Sequence, residues 1–333
     1  MADVILLGAG ASKDAGVPMA YEMTEQILGR MDGEDLQALR CVCDRLGSES
    51  GDLDVEKVFA AVELLGEREK LEVTPFVARW REEALRWDCD FYAKLSRRMV
   101  AEMRDLIATR HKRVSHLDPL VRWAEDPARA TIATLNYDRA IEVAGSGAGL
   151  EVHTGIQRWV RTGRWGWPSR EGVRLLKLHG SIDWVWEEDP PGRGQLPSRV
   201  VVQTQGWDNE VRAPALLFGA RGKLRAEGPF LAALAEFEEQ LRKAKRLIVI
   251  GYSFRDDHVN QISRRWTFDG WGPEIIVVDP GFPRHPTPAG DATFRDQLLS
   301  HLDPPQERWG TSLEIIRESA REALPALFPR CRQ

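Results

Sequence analysis

Cysteine is scarce in this chain of 333 residues: four are present, Cys41, Cys43, Cys89 and Cys331. They are too few and too scattered for a disulfide framework. No C-x-x-C pair occurs, and Cys41 and Cys43 are separated by a single residue. A tetrahedral metal knuckle needs paired thiolates spaced so that both reach one ion. No two histidines stand at HExxH spacing, so the sequence predicts no structural zinc and no other metal site. Long apolar runs are missing too, which excludes a membrane-spanning helix. The first such run, Val4 to Leu7, is too short for a signal peptide and lacks a basic flank. The expectation is a cytoplasmic, soluble protein. Charge of one sign is also lacking: the formal net charge is −5, so the surface as a whole is not built to bind a polyanion. A local basic patch remains open, because totals hide distribution.

What is present is ordinary globular material, 43% hydrophobic and 29% charged, in a chain long enough to bury a full core. Short apolar runs at Asp3–Leu7, Ala130–Leu135, Leu175–Leu178, Arg199–Val202, Leu247–Ile250 and Glu274–Val278 read as buried strands. Helical patterns separate some of them, notably Pro229–Lys243 and His258–Trp266. This alternation predicts an α/β fold, a Rossmann-like parallel sheet covered on both faces. Residues 30–125 break the alternation. Val55, Val58, Phe59 and Val62 fall on one helical face, and amphipathic stretches follow over Thr74–Trp87 and Cys89–His111. This block is expected to be a helical insertion subdomain, or lid, within a single domain spanning 1–333. Glu188–Pro197 and Asp279–Ala292 are rich in proline or glycine and predict surface loops. Ser312–Leu324 predicts a C-terminal helix stopped by Pro325.

Several strand ends carry polar or glycine residues, where α/β sheets bind ligands. Gly8-Ala9-Gly10-Ala11-Ser12 follows the first strand and precedes a helix. Backbone without side chains lets a pyrophosphate approach, and a helix start offers N–H donors. The third glycine of G-x-G-x-x-G would fall at Lys13, and no Gly-Lys-Ser/Thr follows, so neither the dinucleotide fingerprint nor a Walker A loop is complete. A tight strand-to-helix turn is the plain alternative. Thr134-Leu-Asn136-Tyr-Asp138 closes the second run, where Asn136 and Asp138 can serve chemistry or cap a helix. His179 ends an apolar run just before Gly180; an imidazole suits proton abstraction from a hydroxyl or water. A buried structural histidine is its plain alternative. Gly251-Tyr252-Ser253 and Asp279 close two later strands. The acid can bond ribose hydroxyls, as in dinucleotide folds, or open a turn before Pro280.

Taken in order, these segments resemble the nucleotide site of the sirtuins, the NAD-consuming silent-information-regulator family. Gly8-Ala-Gly-Ala-Ser12 with Gly16-Val-Pro18 is similar to that family's opening, and Thr134-Leu-Asn-Tyr-Asp138 to its Thr-Gln-Asn-Ile-Asp. His179-Gly180 matches its catalytic His-Gly. Gly251-Tyr-Ser-Phe-Arg-Asp256 resembles the version in sirtuin-like proteins of bacterial antiphage defence. The resemblance implies NAD⁺ as substrate, with Gly8, Ala9, Gly10, Ser12, Gly251, Ser253 and Asp279 binding it. It implies Asn136, His179 and Asp138 as the catalytic set. The chain departs from the deacylases in three places: it lacks the four-cysteine zinc module, it has Met19-Ala20-Tyr21 where they carry Asp-Phe-Arg, and Ala220 replaces the glutamate of their Phe-Gly-Glu. The resemblance therefore implies an NAD⁺ glycohydrolase releasing nicotinamide and ADP-ribose, an effector of antiphage defence by NAD depletion. It also implies control through a homo-oligomer or a partner sensor or ATPase. The alternatives are an NAD-dependent protein-lysine deacylase and a non-catalytic NAD or ADP-ribose sensor.

Two further readings compete for the same chain. Gly251-Tyr-Ser253 with Asp279 and His285 or His301 has the order of a hydrolase triad, but Arg255 stands where the strained elbow needs glycine. Trp159, Trp165, Trp167, Trp184 and Trp186, with Arg158, Arg161, Arg164 and Arg170, offer a stacking, basic surface for nucleic acid, a possibility the acidic total does not support. The same residues also suit an aromatic wall or a partner interface.

Overall fold

In the computed structural model the described residues are 2–50, 53–69, 82–108, 113–168, 171–188, 199–203, 214–217, 228–269, 273–285, 293–302 and 312–329. Ten strands occur among them: β1 (Asp3–Leu7), β2 (Ala130–Thr134), β3 (Val152–His153), β4 (Val173–Lys177), β5 (Gly180–Glu188), β6 (Arg199–Gln203), β7 (Pro214–Leu216), β8 (Arg246–Ile250), β9 (Glu274–Val278) and β10 (Ser312–Ile316). Seven form one parallel sheet in the order β10-β9-β8-β1-β2-β4-β3. Its central strands are apolar runs buried along their length, as a sheet covered on both faces requires. From β1 the chain first builds outward through β2, β4 and β3, and later builds the other way through β8, β9 and β10. The order therefore reverses between β1 and β8, which puts the topological switch point beside the ends of Leu7 and Ile250.

The chain divides into two compact units: Met1–Gly16 with His111–Leu216 and Arg225–Gln333, and Val17–Arg110 with Leu217–Leu224. The first contains both sheets. The second is helical where described. Its helix Val55–Glu67 begins at Asp54, whose side chain accepts a hydrogen bond from the Glu56 N–H at 2.8 Å, a cap that spares one orphan donor. Val55, Val58, Phe59 and Val62 are all buried, as their spacing predicts. The helix Cys89–Ala108 buries Tyr92, Leu95, Met99, Met103 and Leu106 at the matching three- and four-residue spacing. Most of the expected amphipathic stretch Thr74–Trp87 lies outside the described residues, as does most of the loop expected over Glu188–Pro197.

Two expectations are corrected. Arg199–Val202 does not join the parallel sheet. As β6 it pairs antiparallel with β5, and β7 flanks the other side in a separate three-stranded sheet. The chain leaves β4 through Gly180, whose φ of +88° and whose Cβ position, 2.2 Å from the Ala215 carbonyl, admit only glycine. That turn starts a new antiparallel unit instead of a crossover. The C-terminal segment is also not one helix. Ser312–Ile316 is the edge strand β10, and the helix runs over Ala320–Leu327 with Pro325 inside it. A capping box starts this helix: Ser319 accepts from the Glu322 N–H, and the Glu322 carboxylate accepts from the Ser319 N–H at 3.0 Å.

Candidate active site

The switch point is closed by glycine backbone. The Gly10 N–H donates to the Gly251 carbonyl at 2.9 Å, and the Gly8 N–H to the Ile250 carbonyl at 3.0 Å. A Cβ on Gly8 would sit 2.6 Å from the Gly251 oxygen, and one on Gly251 would sit 2.4 Å from the Ala11 nitrogen. These glycines are therefore required first by the close crossing of two strand-end loops. Ala9 is exposed at the start of the short helix Ala9–Lys13, while Ser12 is buried beneath it.

Asn136 ties the next strand end to this loop. It lies two residues beyond Thr134 of β2, and its backbone N–H donates to the Thr134 hydroxyl at 3.0 Å. Its side-chain amide donates to the Gly8 carbonyl at 2.9 Å and to Ser12 Oγ at 3.0 Å. Because the Gly8 oxygen can only accept, Nδ2 must face it. Both amide hydrogens are thereby spent inward, which leaves Oδ1 as the acceptor the residue can offer a ligand. Asn136, Ser12 and Asp138 line one small cavity together with Leu7 and Thr134.

Asp138 is buried, and its Oδ1 accepts from the Ala140 N–H at 2.9 Å, an Asx turn that leads into the helix Ala140–Gly147. Its backbone carbonyl accepts from Lys177 Nζ, and the same ammonium meets Glu142 at 3.0 Å. Lys177 is fully buried at the end of β4, after Leu175 and Leu176, and it clamps the loop that carries Asn136. Burial pushes the Glu142 carboxyl above its ordinary range, the Lys177 charge pulls it down, and Asp183 pushes it up again.

His179 lies two residues beyond Lys177, which pairs in register with Thr134. Asn136 and His179 thus occupy equivalent places past the ends of neighbouring strands. His179 is buried, and its Nε2 lies 2.7 Å from Asp256 Oδ2. The other carboxylate oxygen of Asp256 accepts the His258 and Val259 N–H groups at 3.0 and 3.1 Å, so it caps the helix Asp257–Asp269. The Tyr252 hydroxyl accepts the Asp256 N–H at 2.9 Å and lies 2.9 Å from Asn260 Oδ1. An anionic carboxylate is only an acceptor, which puts the imidazole proton on Nε2. Nδ1 is buried and has no hydrogen-bond partner among the described residues.

The remaining expected residues are less engaged. Ser253 is exposed. Asp279 accepts the Gly281 N–H at 2.8 Å in an Asx turn, which spends one of its oxygens. His285 is exposed, and Ser253 has no hydrogen bond to a histidine among the residues whose side chains are described, which do not include His301. The Ala215–Gly219 segment begins as β7, and its Phe218-Gly219 end lies outside the described residues.

The family model for a SIR2-like domain matches residues 130–270. Over that stretch the chain is similar to SIR2-like domains. Asn136, His179, Gly251, Ser253 and Asp256 fall inside the matched stretch, whereas Gly8–Ser12 and Asp279 fall outside it. No curated protein matches the chain. Among solved structures it is similar to Sir2 bound to acetylated peptide, with a TM-score of 0.45 at 14% identity, covering 98% of this chain and 91% of that one. It is also similar to a Sir2 homolog–NAD complex, with a TM-score of 0.42 at 14% identity, covering 98% and 88%. A third similar structure is Sir2Tm bound to a propionylated peptide, with a TM-score of 0.42 at 13% identity, covering 98% and 91%.

Two residues of the matched segment escape the sequence reading of the site. Asp256 lies within a stretch singled out by its motif, but nothing local says that its carboxylate reaches a histidine 77 positions earlier. Its place ahead of a helix signals only a cap. Lys177 leaves a plainer trace, as the one cation in Leu175-Leu-Lys-Leu178. A charge in a run otherwise buried on both faces needs a partner, and that need is a usable signal.

Proposed function

We propose that this chain is an NAD⁺ hydrolase that cleaves the nicotinamide–ribose bond. The observation that carries the reading is the buried His179–Asp256 pair with Nδ1 left over, standing past the strand next to the one that ends in Asn136. In this reading the Nε2–H of His179 stays bonded to Asp256, and Nδ1 takes a proton from water or from a ribose hydroxyl. Asn136 Oδ1 holds the attacking water. The water oxygen bonds to the anomeric carbon as the C–N bond breaks, and its electron pair returns to the pyridinium ring. Nicotinamide leaves neutral, so no acid is needed at the leaving group. The protein's part is to supply the base, orient the water and favour the positive charge that develops on the ribose, as glycosidases do.

Gly8, Ala9, Gly10, Ser12, Gly251, Ser253 and Asp279 are assigned to the dinucleotide. Two observations qualify their roles. The Gly10 N–H is already committed to Gly251, so Ala9 is the better donor to the pyrophosphate. Asp279 keeps one oxygen beyond its Asx turn for a ribose hydroxyl. Asp138 acts through the loop that its Asx turn holds. Hydrolysis is preferred to deacylation because the chain lacks the zinc module, the Asp-Phe-Arg signature and the glutamate of Phe-Gly-Glu, absences that fall mostly on the deacylase side of the resemblance. The same resemblance supports an antiphage effector that depletes NAD⁺, cytoplasmic and restrained by self-assembly or by a partner.

Substitution separates binding from chemistry. Asn136→Ala and His179→Ala are expected to keep ADP-ribose affinity within a few-fold by calorimetry while turnover falls by about 100-fold or more. Turnover that survives both changes would place the reaction elsewhere.

A further inference from the structure

The Trp/Arg-rich segment after β3 forms a cavity that the strand-end site does not use. The helix Ile156–Thr162 follows Gly155 and ends at Gly163, both at positive φ, and is anchored by fully buried Ile156. Arg158 and Arg161, three residues apart, therefore share one face of it. The chain then turns back through Trp165, Gly166 and Trp167. At Gly166 a Cβ would lie 3.1 Å from Arg158 Cδ and Nη1, so the arginine stem lies across bare backbone. At Gly155 a Cβ would lie 2.6 Å from the Trp165 indole nitrogen. The result is a cavity of about 250 Å³ lined by His153, Arg158, Arg161 and Trp167, among others.

Three observations give this cavity a chemistry. Neither Arg158 nor Arg161 meets a carboxylate among the described residues, although acids outnumber bases in the whole chain. The Trp167 ring is held by the Arg174 guanidinium 5.3 Å from its centroid and packs against the core, so it is a fixed plane. Its indole N–H is buried and has no acceptor among the described residues. Two unneutralised guanidiniums beside a fixed aromatic plane suit a phosphate joined to a flat heterocycle. The volume falls just below the usual range for small-molecule sites, roughly 300–1,000 Å³, which favours a mononucleotide over a dinucleotide.

We infer that this cavity is a second ligand site, one that takes a nucleoside monophosphate. The cavity shares no lining residue with the cluster at Gly8–Ser12, Asn136, His179 and Gly251. The inference does not depend on the NAD⁺ reading of that cluster. A nucleic acid strand is the competing occupant of an arginine- and tryptophan-rich surface. The small seat, with a single indole as its platform, favours one free nucleotide over a run of stacked bases.

The test titrates AMP by calorimetry into the full chain, into Arg158→Glu/Arg161→Glu and into Trp167→Ala, with ADP-ribose titrated in parallel. The expected result is AMP binding that weakens at least about tenfold in both variants, in line with the loss of charge-assisted bonds and of one stacking partner. The thermal unfolding midpoint of both variants should stay within a few degrees of the full chain's, which shows that they fold, and any ADP-ribose binding at the strand-end site should stay unchanged. AMP binding that is absent from the full chain, or equal in the full chain and the arginine variant, overturns the inference. So does a single-stranded oligonucleotide that binds through the same arginines when AMP does not.

Discussion

Asn136 and His179 are each fixed by one specific bond before any ligand arrives. The Gly8 carbonyl sets the amide of Asn136, and the Asp256 carboxylate sets the tautomer of His179. Asp256→Asn tests the second of these. An asparagine can accept from Nε2 or donate to it, so the imidazole is no longer held with Nδ1 free, and the anion that stabilises the protonated ring is gone. The expected outcome in steady-state kinetics is a kcat lower by on the order of 100-fold with KM within a few-fold, the pattern of a group that acts only as charge develops. A change confined to KM would make Asp256 a binding or folding residue. The residue types at the strand ends were legible in the sequence because glycines, an asparagine and a histidine interrupt apolar runs there. The partners were not legible: the approach of Asp256 to His179 and the spending of the Gly10 N–H on Gly251 are tertiary facts with no local pattern.

The elements meet at this site under tight constraints. Gly251 adopts φ +60° against the backbone of Gly10 and Ala11. Gly251→Ala should lower the urea midpoint, corresponding to a loss of roughly 2 kcal/mol or more in unfolding free energy, because left-handed strain and a backbone clash add. An unchanged midpoint would mean that the two loops are not packed as described. Lys177 joins β4 to the helix Ala140–Gly147 through Glu142 and the Asp138 carbonyl. Lys177→Met leaves a buried carboxyl without its cation and should cost about 3 kcal/mol near pH 8. The loss should shrink at acid pH. Without Lys177 the folded-state pKa of Glu142 rises further above its unfolded value. The folded chain then holds that proton more tightly, and this stabilisation is present below the unfolded value and lost as pH rises through the folded one. Chemical denaturation of the variant at pH 5 and pH 8 measures the difference, and an equal loss at both would contradict the assignment. At the chain's end, Leu313 and Ile315 fit both a helical stripe and an alternating strand. The capping box from Ser319 to Glu322 was the signal that a helix begins only there.

At the scale of the whole molecule, strand alternation in the sequence was enough to predict a parallel Rossmann-like sheet, and the sheet is present with its order reversing between β1 and β8. The sequence did not give the antiparallel sheet of β5, β6 and β7, because Arg199–Val202 reads the same whichever way its neighbour runs. The sheet places the ends of β1, β2, β4 and β8 along one edge, and Gly8, Asn136, His179 and Gly251 follow directly from them. The reading of this edge as a site that splits NAD⁺ is tested by incubating the purified chain with NAD⁺ and separating products by liquid chromatography, with and without an acetyl-lysine peptide. We predict equimolar nicotinamide and ADP-ribose without peptide, abolished in His179→Ala. Nicotinamide that appears only with peptide, or products that persist in His179→Ala, would contradict it.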